Sequence, residues 1–137
     1  MTDFIKLHQE NFNINQFISS VIREDVGDGD HTSMACIPPN SRGKMHLLVK
    51  ENGLIAGVEA ASLIFKKIDP SCKLSIYIKD GTKVKKGDII FIVEGNTQKL
   101  LTAERLVLNI MQRMSGIATK TNAIQSLCRG TKAKVMD

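Results

Sequence analysis

Apolar residues recur along the chain in spacings that switch between helical and strand periods, and those switches divide it into elements. Ile14, Phe17, Ile18, Val21 and Ile22 step by three and four after Asn residues able to cap, which predicts an amphipathic helix from Asn13 to Glu24. Asp25-Val-Gly-Asp-Gly-Asp30 then ends it, because two glycines and three aspartates favour turns over helical geometry. Pro38-Pro39-Asn40 marks a further turn, Lys44 to Lys50 reads as an apolar strand bounded by charges, and Glu51-Asn-Gly53 turns the chain again. Val58, Ala61, Ser62, Phe65 and Ile68 restore a helical period, which Asp69-Pro70 closes.

The middle of the chain is β-rich. Lys73 to Asp80 alternates, with Leu74, Ile76 and Ile78 on one face, and Asp80-Gly81 signals a turn. Lys83 to Gly95 reads as a short strand, a Lys-Gly-Asp turn and a β-branched strand. From Thr102 to Cys128 the period is helical, with Thr102 as the expected N-cap and Ser115-Gly116 expected to break or bend the segment into two helices. Thr131 to Asp137 alternates as a strand at whose beginning the chain ends, a hint that the polypeptide belongs to something longer. The expected class is α+β.

Composition supports that frame. A chain of 137 residues with 42% apolar and 24% charged residues suits one globular domain. Aromatics reach only 4%, with no Trp, so the core must come from Ile, Leu, Val, Met and Ala, and base-stacking platforms have no rings to use. The methionines are read as flexible core filler. A formal charge of +5 favours anionic ligands, but the basic residues come singly or in pairs, such as Lys66-Lys67 and Lys85-Lys86, beside acids. That is a solvated surface, and no nucleic-acid partner is expected. Cys36, Cys72 and Cys128 lie too far apart for a zinc motif and lack the even count of a disulfide framework; they are expected to be reduced and mostly packed. No apolar run suits a signal peptide or a membrane span, so the expected location is cytoplasmic, without membrane contact.

Chemistry is sparse. No Ser-His-Asp order, Walker loop, Rossmann fingerprint or zinc spacing occurs, and the sequence nominates no catalytic residue and no metal ligand. His8, His31 and His46 are isolated. His31, beside Asp30, could serve as acid or base or could be a hydrogen-bonded structural residue. The acidic turn itself is either a hydrogen-bonded loop or, without the later Glu of a calcium hand, a poor divalent-metal loop. The best signal is Glu104-Arg105, expected in the first turn of the longest helix, where free N–H groups and the dipole favour an anion. Arg105 would add a planar charged fork for a carboxylate or phosphate; the competing reading is an ion pair, for which the adjacent Glu104 is badly placed.

Five segments carry a resemblance. They are Arg23 to Ser33, Glu51 to Gly57, Asp80 to Gly87, Leu100-Leu-Thr-Ala-Glu-Arg-Leu-Val-Leu-Asn109 and Ser115-Gly-Ile-Ala-Thr119. In order and spacing, over roughly residues 16 to 137, the chain resembles the N-terminal part of the quinolinate phosphoribosyltransferases, the decarboxylating nicotinate-nucleotide pyrophosphorylases. The resemblance implies helices around a small barrel-sandwich-type β module, followed in the family by an α/β barrel that is absent here. It divides the chain into a tail at 1–12, the N-terminal domain at 13–130 and the start of the barrel at 131–137.

For function, the resemblance implies that the whole enzyme converts quinolinate and phosphoribosyl pyrophosphate, with Mg²⁺, to nicotinate mononucleotide, pyrophosphate and CO₂ in NAD biosynthesis. It implies a homodimer or higher homo-oligomer in which this domain covers the partner's barrel and Arg105 holds a quinolinate carboxylate. The family's Thr-Arg-Lys-Thr segment, which would follow Asp137, is not in these residues, so the 137-residue chain alone is expected to be inactive. Two other readings remain: a noncatalytic remnant that dimerises through the surface meant for a barrel, and a biotinyl- or lipoyl-like carrier suggested by Asp80 to Asp88. The carrier lacks the required lysine tripeptide and leaves the helices after Thr102 unexplained.

Overall fold

A computed structural model describes residues 12–136; the rest of the expected tail, His8 included, lies outside the described residues. The first helix, α1, spans Ile14–Val26, capped by Asn13, whose side chain accepts the Asn15 and Gln16 N–H groups. Ile18 is its buried anchor. A short helix that the periodicity did not reveal, α2 at His31–Cys36, follows directly, because the Asp30 carboxylate accepts the Ser33 N–H and hydroxyl. Six residues are too few for an apolar stripe, so only the cap could have announced it.

The β module comprises β1 (Arg42–Leu48), β2 (Gly53–Leu54), β3 (Lys73–Ile76), β4 (Lys83–Val84) and β5 (Ile89–Asn96). An antiparallel sheet runs in the order β1-β5-β3, and β2 pairs with β4 in a second small sheet. Met45 and Leu74 both lie opposite Val93, so one face of the larger sheet is apolar, while the other carries the Lys44–Glu94 ion pair at 2.9 Å. The third helix, α3, spans Val58–Ile68, the range its periodicity predicts. Its Phe65 meets Phe91 edge-on, with ring centroids 5.8 Å apart. Ile18, Ile64, Ile90, Val93, Leu100 and Val107 are the nearly inaccessible centre of the core.

Several expectations are corrected. Lys73 to Asp80 is not one strand: the ladder stops at Ile76, where the N–H groups of Tyr77 and Ile78 both point at the Ile90 carbonyl and break the register. Ile76, on the same face of the alternation as Leu74, is 43% exposed on this edge strand. The last helix, α4, is continuous from Thr97 to Leu127, and Asn96, not Thr102, caps it by accepting the Lys99 N–H at 3.1 Å. Thr102 sits inside the helix, its hydroxyl donating to the Gln98 carbonyl. Nor does Ser115-Gly116 break it, since one interior glycine costs only about 1 kcal/mol. Ser115 and Thr119 more than offset that by pairing with the backbone at Ala56 and Leu54.

Thr131 to Met136 forms no strand, because among the described residues no sheet edge pairs with it. Cys36 is exposed rather than packed. Met111 is buried, but Met34, Met114 and Met136 are largely exposed, so core filling accounts for only some of the methionines.

Candidate functional site

Where α1 ends, the chain must reverse toward α2, and Gly27 and Gly29 make this possible with φ values of +51° and +117°, which a side chain would oppose. The turn brings the C-terminal end of α1 and the start of α2 against the flank of α4. Between them lies a cleft of about 340 Å³, bordered by Asp25, Asp30, His31, Thr32, Thr102 and Arg105 among others. Two of the segments singled out in the sequence, the acidic turn and the Thr-Ala-Glu-Arg run, therefore meet across 80 positions of chain.

Arg105 does not stand at a helix N-terminus. Counting from Thr97, it is the ninth residue of α4, in the third turn, where every backbone N–H is already bonded within the helix. The expected contribution of free N–H groups and dipole is thus removed, and only the guanidinium can act. Its Nη2 donates to Asp25 Oδ1 at 3.1 Å and to the Asp25 carbonyl at 3.2 Å. The competing ion pair exists, but across the cleft with Asp25 rather than along the helix with Glu104. The Arg105 side chain is 69% exposed and that of Asp25 is 26% exposed, so the guanidinium lies at the mouth of the cleft with its partner on the wall.

The acids have separate tasks. The Ser33 hydroxyl, then the Ser33 and Thr32 N–H groups, hold the Asp30 carboxyl below the usual carboxylate range against slight desolvation, with Arg105 adding a weak pull. Asp25 is committed to Arg105. Through the Asp30 cap and the Asp25–Arg105 pair the acidic turn acts as a capping and pairing loop, and among the described residues no three His, Cys, Asp or Glu side chains come together. His31 is the first residue of α2 and borders the cleft, whereas His46 lies on the exposed face of β1, away from it. Asp25 and the capping role of Asp30 escaped the sequence reading; a carboxylate three residues before Ser33 was the available signal.

A second, more apolar depression of about 550 Å³ follows the far half of α4, between Ala56, Met114, Ile117 and Thr121. Ile117, Ile124 and Leu127 are also exposed along this half.

Residues 30–115 match the family model described as quinolinate phosphoribosyl transferase, N-terminal domain. Over 111 residues the chain is 45% identical to quinolinate phosphoribosyltransferase [decarboxylating] 2b, mitochondrial, of Nicotiana tabacum, covering 80% of this chain and 32% of that protein. It is equally 45% identical over 111 residues to the chloroplastic nicotinate-nucleotide pyrophosphorylase [carboxylating] of Arabidopsis thaliana, covering 80% and 32%. The crystal structure of NadC from Streptococcus pyogenes superposes with a TM-score of 0.80 at 31% identity, over 85% of this chain and 42% of that one. The chain spans about a third of the length of the curated relatives it matches.

Proposed function

Because this chain belongs to the quinolinate phosphoribosyltransferase family through its N-terminal domain, we propose that it supplies one arm of an enzyme making nicotinate mononucleotide in NAD biosynthesis. The substrates of the whole enzyme are quinolinate and phosphoribosyl pyrophosphate, and the products include pyrophosphate and CO₂. Arg105 is the substrate-binding residue of this arm. The observation that carries the reading is an exposed guanidinium, at the rim of a cleft, inside the Leu-Thr-Ala-Glu-Arg run that the family match covers.

Charge explains why this arm does not suffice alone. The cleft walls carry Asp25 and Asp30 against Arg105, two acids to one permanent cation, so a dicarboxylate would be repelled unless further cations approached from elsewhere. A homodimer, in which this domain covers the partner's barrel, would bring them. The exposed apolar half of α4 supports a covering partner of that kind. Chemically, clustered cations would offset the repulsion between dicarboxylate and pyrophosphate and stabilise the charge that separates as pyrophosphate leaves, with Arg105 binding and orienting.

Mg²⁺ is expected for the whole enzyme, yet the described residues offer no ligand cluster that fits it. No helix among the described residues is long and apolar enough to cross a membrane, and the proposed compartment is the cytoplasm, where the free thiols of Cys36, Cys72 and Cys128 would stay reduced.

The test is Arg105→Ala in the complete enzyme. The KM for quinolinate should rise by the equivalent of about 1.5–3 kcal/mol, the scale of a lost charged hydrogen bond. An unchanged KM and turnover would remove Arg105 from the site. The isolated 137-residue chain, given both substrates and Mg²⁺, should form no nicotinate mononucleotide.

A further inference from the structure

We propose that Asp25 is the positioning residue for Arg105, holding its guanidinium at the cleft mouth so that the remaining donors face an incoming carboxylate. The inference rests on the reading of Arg105 given above. An arginine side chain at a surface has many rotamers, and ordering it costs free energy that otherwise opposes each binding event. Here the ordering is done before any ligand arrives. Asp25 holds Nη2 at two points, through its carboxylate at 3.1 Å and its backbone carbonyl at 3.2 Å, which restrains that end of the planar group against the cleft wall. A guanidinium has five N–H donors. The two on Nη2 face Asp25, and those on Nε and Nη1 have no partner among the described residues.

Two further observations separate this pair from an ordinary surface ion pair. Asp25 is the next-to-last residue of α1, beside Glu24 and at the negative end of the helix, where a carboxylate is locally unfavourable. The sequence nevertheless places it there, and Arg105, which pairs with it at 3.1 Å, offsets the cost alongside Arg23 in the same last turn. The other carboxylate on the cleft wall near Arg105, Asp30, is engaged by Ser33, so Asp25 alone is committed to the guanidinium. By contrast the Lys44–Glu94 pair lies on the outer face of the sheet, with both side chains about half exposed and no cleft residue involved.

The test compares Asp25→Ala with Asp25→Asn in the complete enzyme, by measuring kcat and the KM for quinolinate and for phosphoribosyl pyrophosphate. Both variants remove the same negative charge, so their difference reports orientation alone. Neither should endanger folding, since neutralising Asp25 relieves the end of α1. Asp25→Ala should show a KM for quinolinate about three- to tenfold above that of Asp25→Asn, the effect of loosening one long side chain that is left with its backbone contact alone. Turnover and the other KM should agree between the two. With Arg105→Ala in the background, the gap between the Ala and Asn variants should vanish. Equal quinolinate KM values for Ala and Asn, or a gap that survives the loss of Arg105, would overturn the positioning role. If Arg105→Ala itself leaves the KM unchanged, the underlying assignment of Arg105 falls as well; if it raises the KM while the two Asp25 variants agree, only the role of Asp25 falls.

Discussion

Asp69 Oδ2 accepts the backbone N–H of Asn96 at 2.9 Å, joining the end of α3 to the residue that caps α4. The other oxygen, Oδ1, accepts the Ser71 hydroxyl at 2.7 Å and the Ser71 N–H at 3.2 Å, and the residue is only 2% exposed. A buried carboxylate with three donors is a fixed peg, and it sets where the helix carrying Arg105 begins. Asp69→Asn should therefore lower the unfolding free energy by about 1.5–3 kcal/mol, as expected for hydrogen bonds to a charged group, measured by urea titration at neutral pH. Wild-type stability in the variant would show that the peg is dispensable.

The same group makes stability depend on acid. Burial by itself would raise the Asp69 carboxyl, but the hydrogen bonds from Ser71 and Asn96, with Lys99 nearby, leave it below the usual carboxylate range. A depressed folded-state value means that its contribution is complete above the ordinary value of about 4 and is lost as pH falls through the lower folded value. Urea midpoints taken from pH 6 to pH 3 should fall more steeply for wild type than for Asp69→Asn. Parallel profiles would contradict the assignment.

Thr119 Oγ1 serves as the partner of Leu54 N at 2.9 Å, so the flank of α4 satisfies an edge of β2 that no third strand covers. Thr119→Val keeps the shape and removes the acceptor, and should cost about 1–3 kcal/mol by thermal or chemical unfolding. A Cβ on Gly53 would stand 2.7 Å from that hydroxyl oxygen, so Gly53→Ala must also destabilise. Combined with Thr119→Ala, the Gly53→Ala change should cost measurably less than it does alone, because the two sites share one space. Strict additivity would mean that the strain is relieved elsewhere.

Thiol reactivity offers a probe that needs no substrate. Cys36 is exposed at the end of α2, whereas burial, and then the nearby Asp69 charge, push the Cys72 thiol up and keep its thiolate scarce. Under native conditions at pH 8, iodoacetamide should label Cys36 well before Cys72, as followed by peptide mass spectrometry. Preferential labelling of Cys72 would mean that the α3–β3 corner opens more readily than its packing implies.

Local periodicity was enough for elements that carry several apolar residues on one face. Val58 to Ile68 came out with its observed limits, and α1 nearly so, because each places three or more apolar residues on one side and ends at a residue that cannot continue the helix. The start of α4 was misplaced by five residues, from Thr97 to Thr102, although Leu100, Ala103 and Val107 already share its buried side. The Thr-Ala-Glu-Arg run was legible as a family motif, but the place of its arginine within the helix was not. Arg105 was chosen as a helix-terminal anion ligand, and it stands in the third turn.

What the amino-acid order determined by itself was the α+β class, the β module between helical segments and the family motifs, because these depend on neighbours within a few positions of one another. What only the tertiary structure decided was the company each residue keeps. It brought Asp25 to Arg105, Asp69 to Asn96 and Thr119 to Leu54, pairings separated by 80, 27 and 65 positions. Hydrogen bonds act over about 3 Å, and no local pattern records which distant donor the packed core will bring that close.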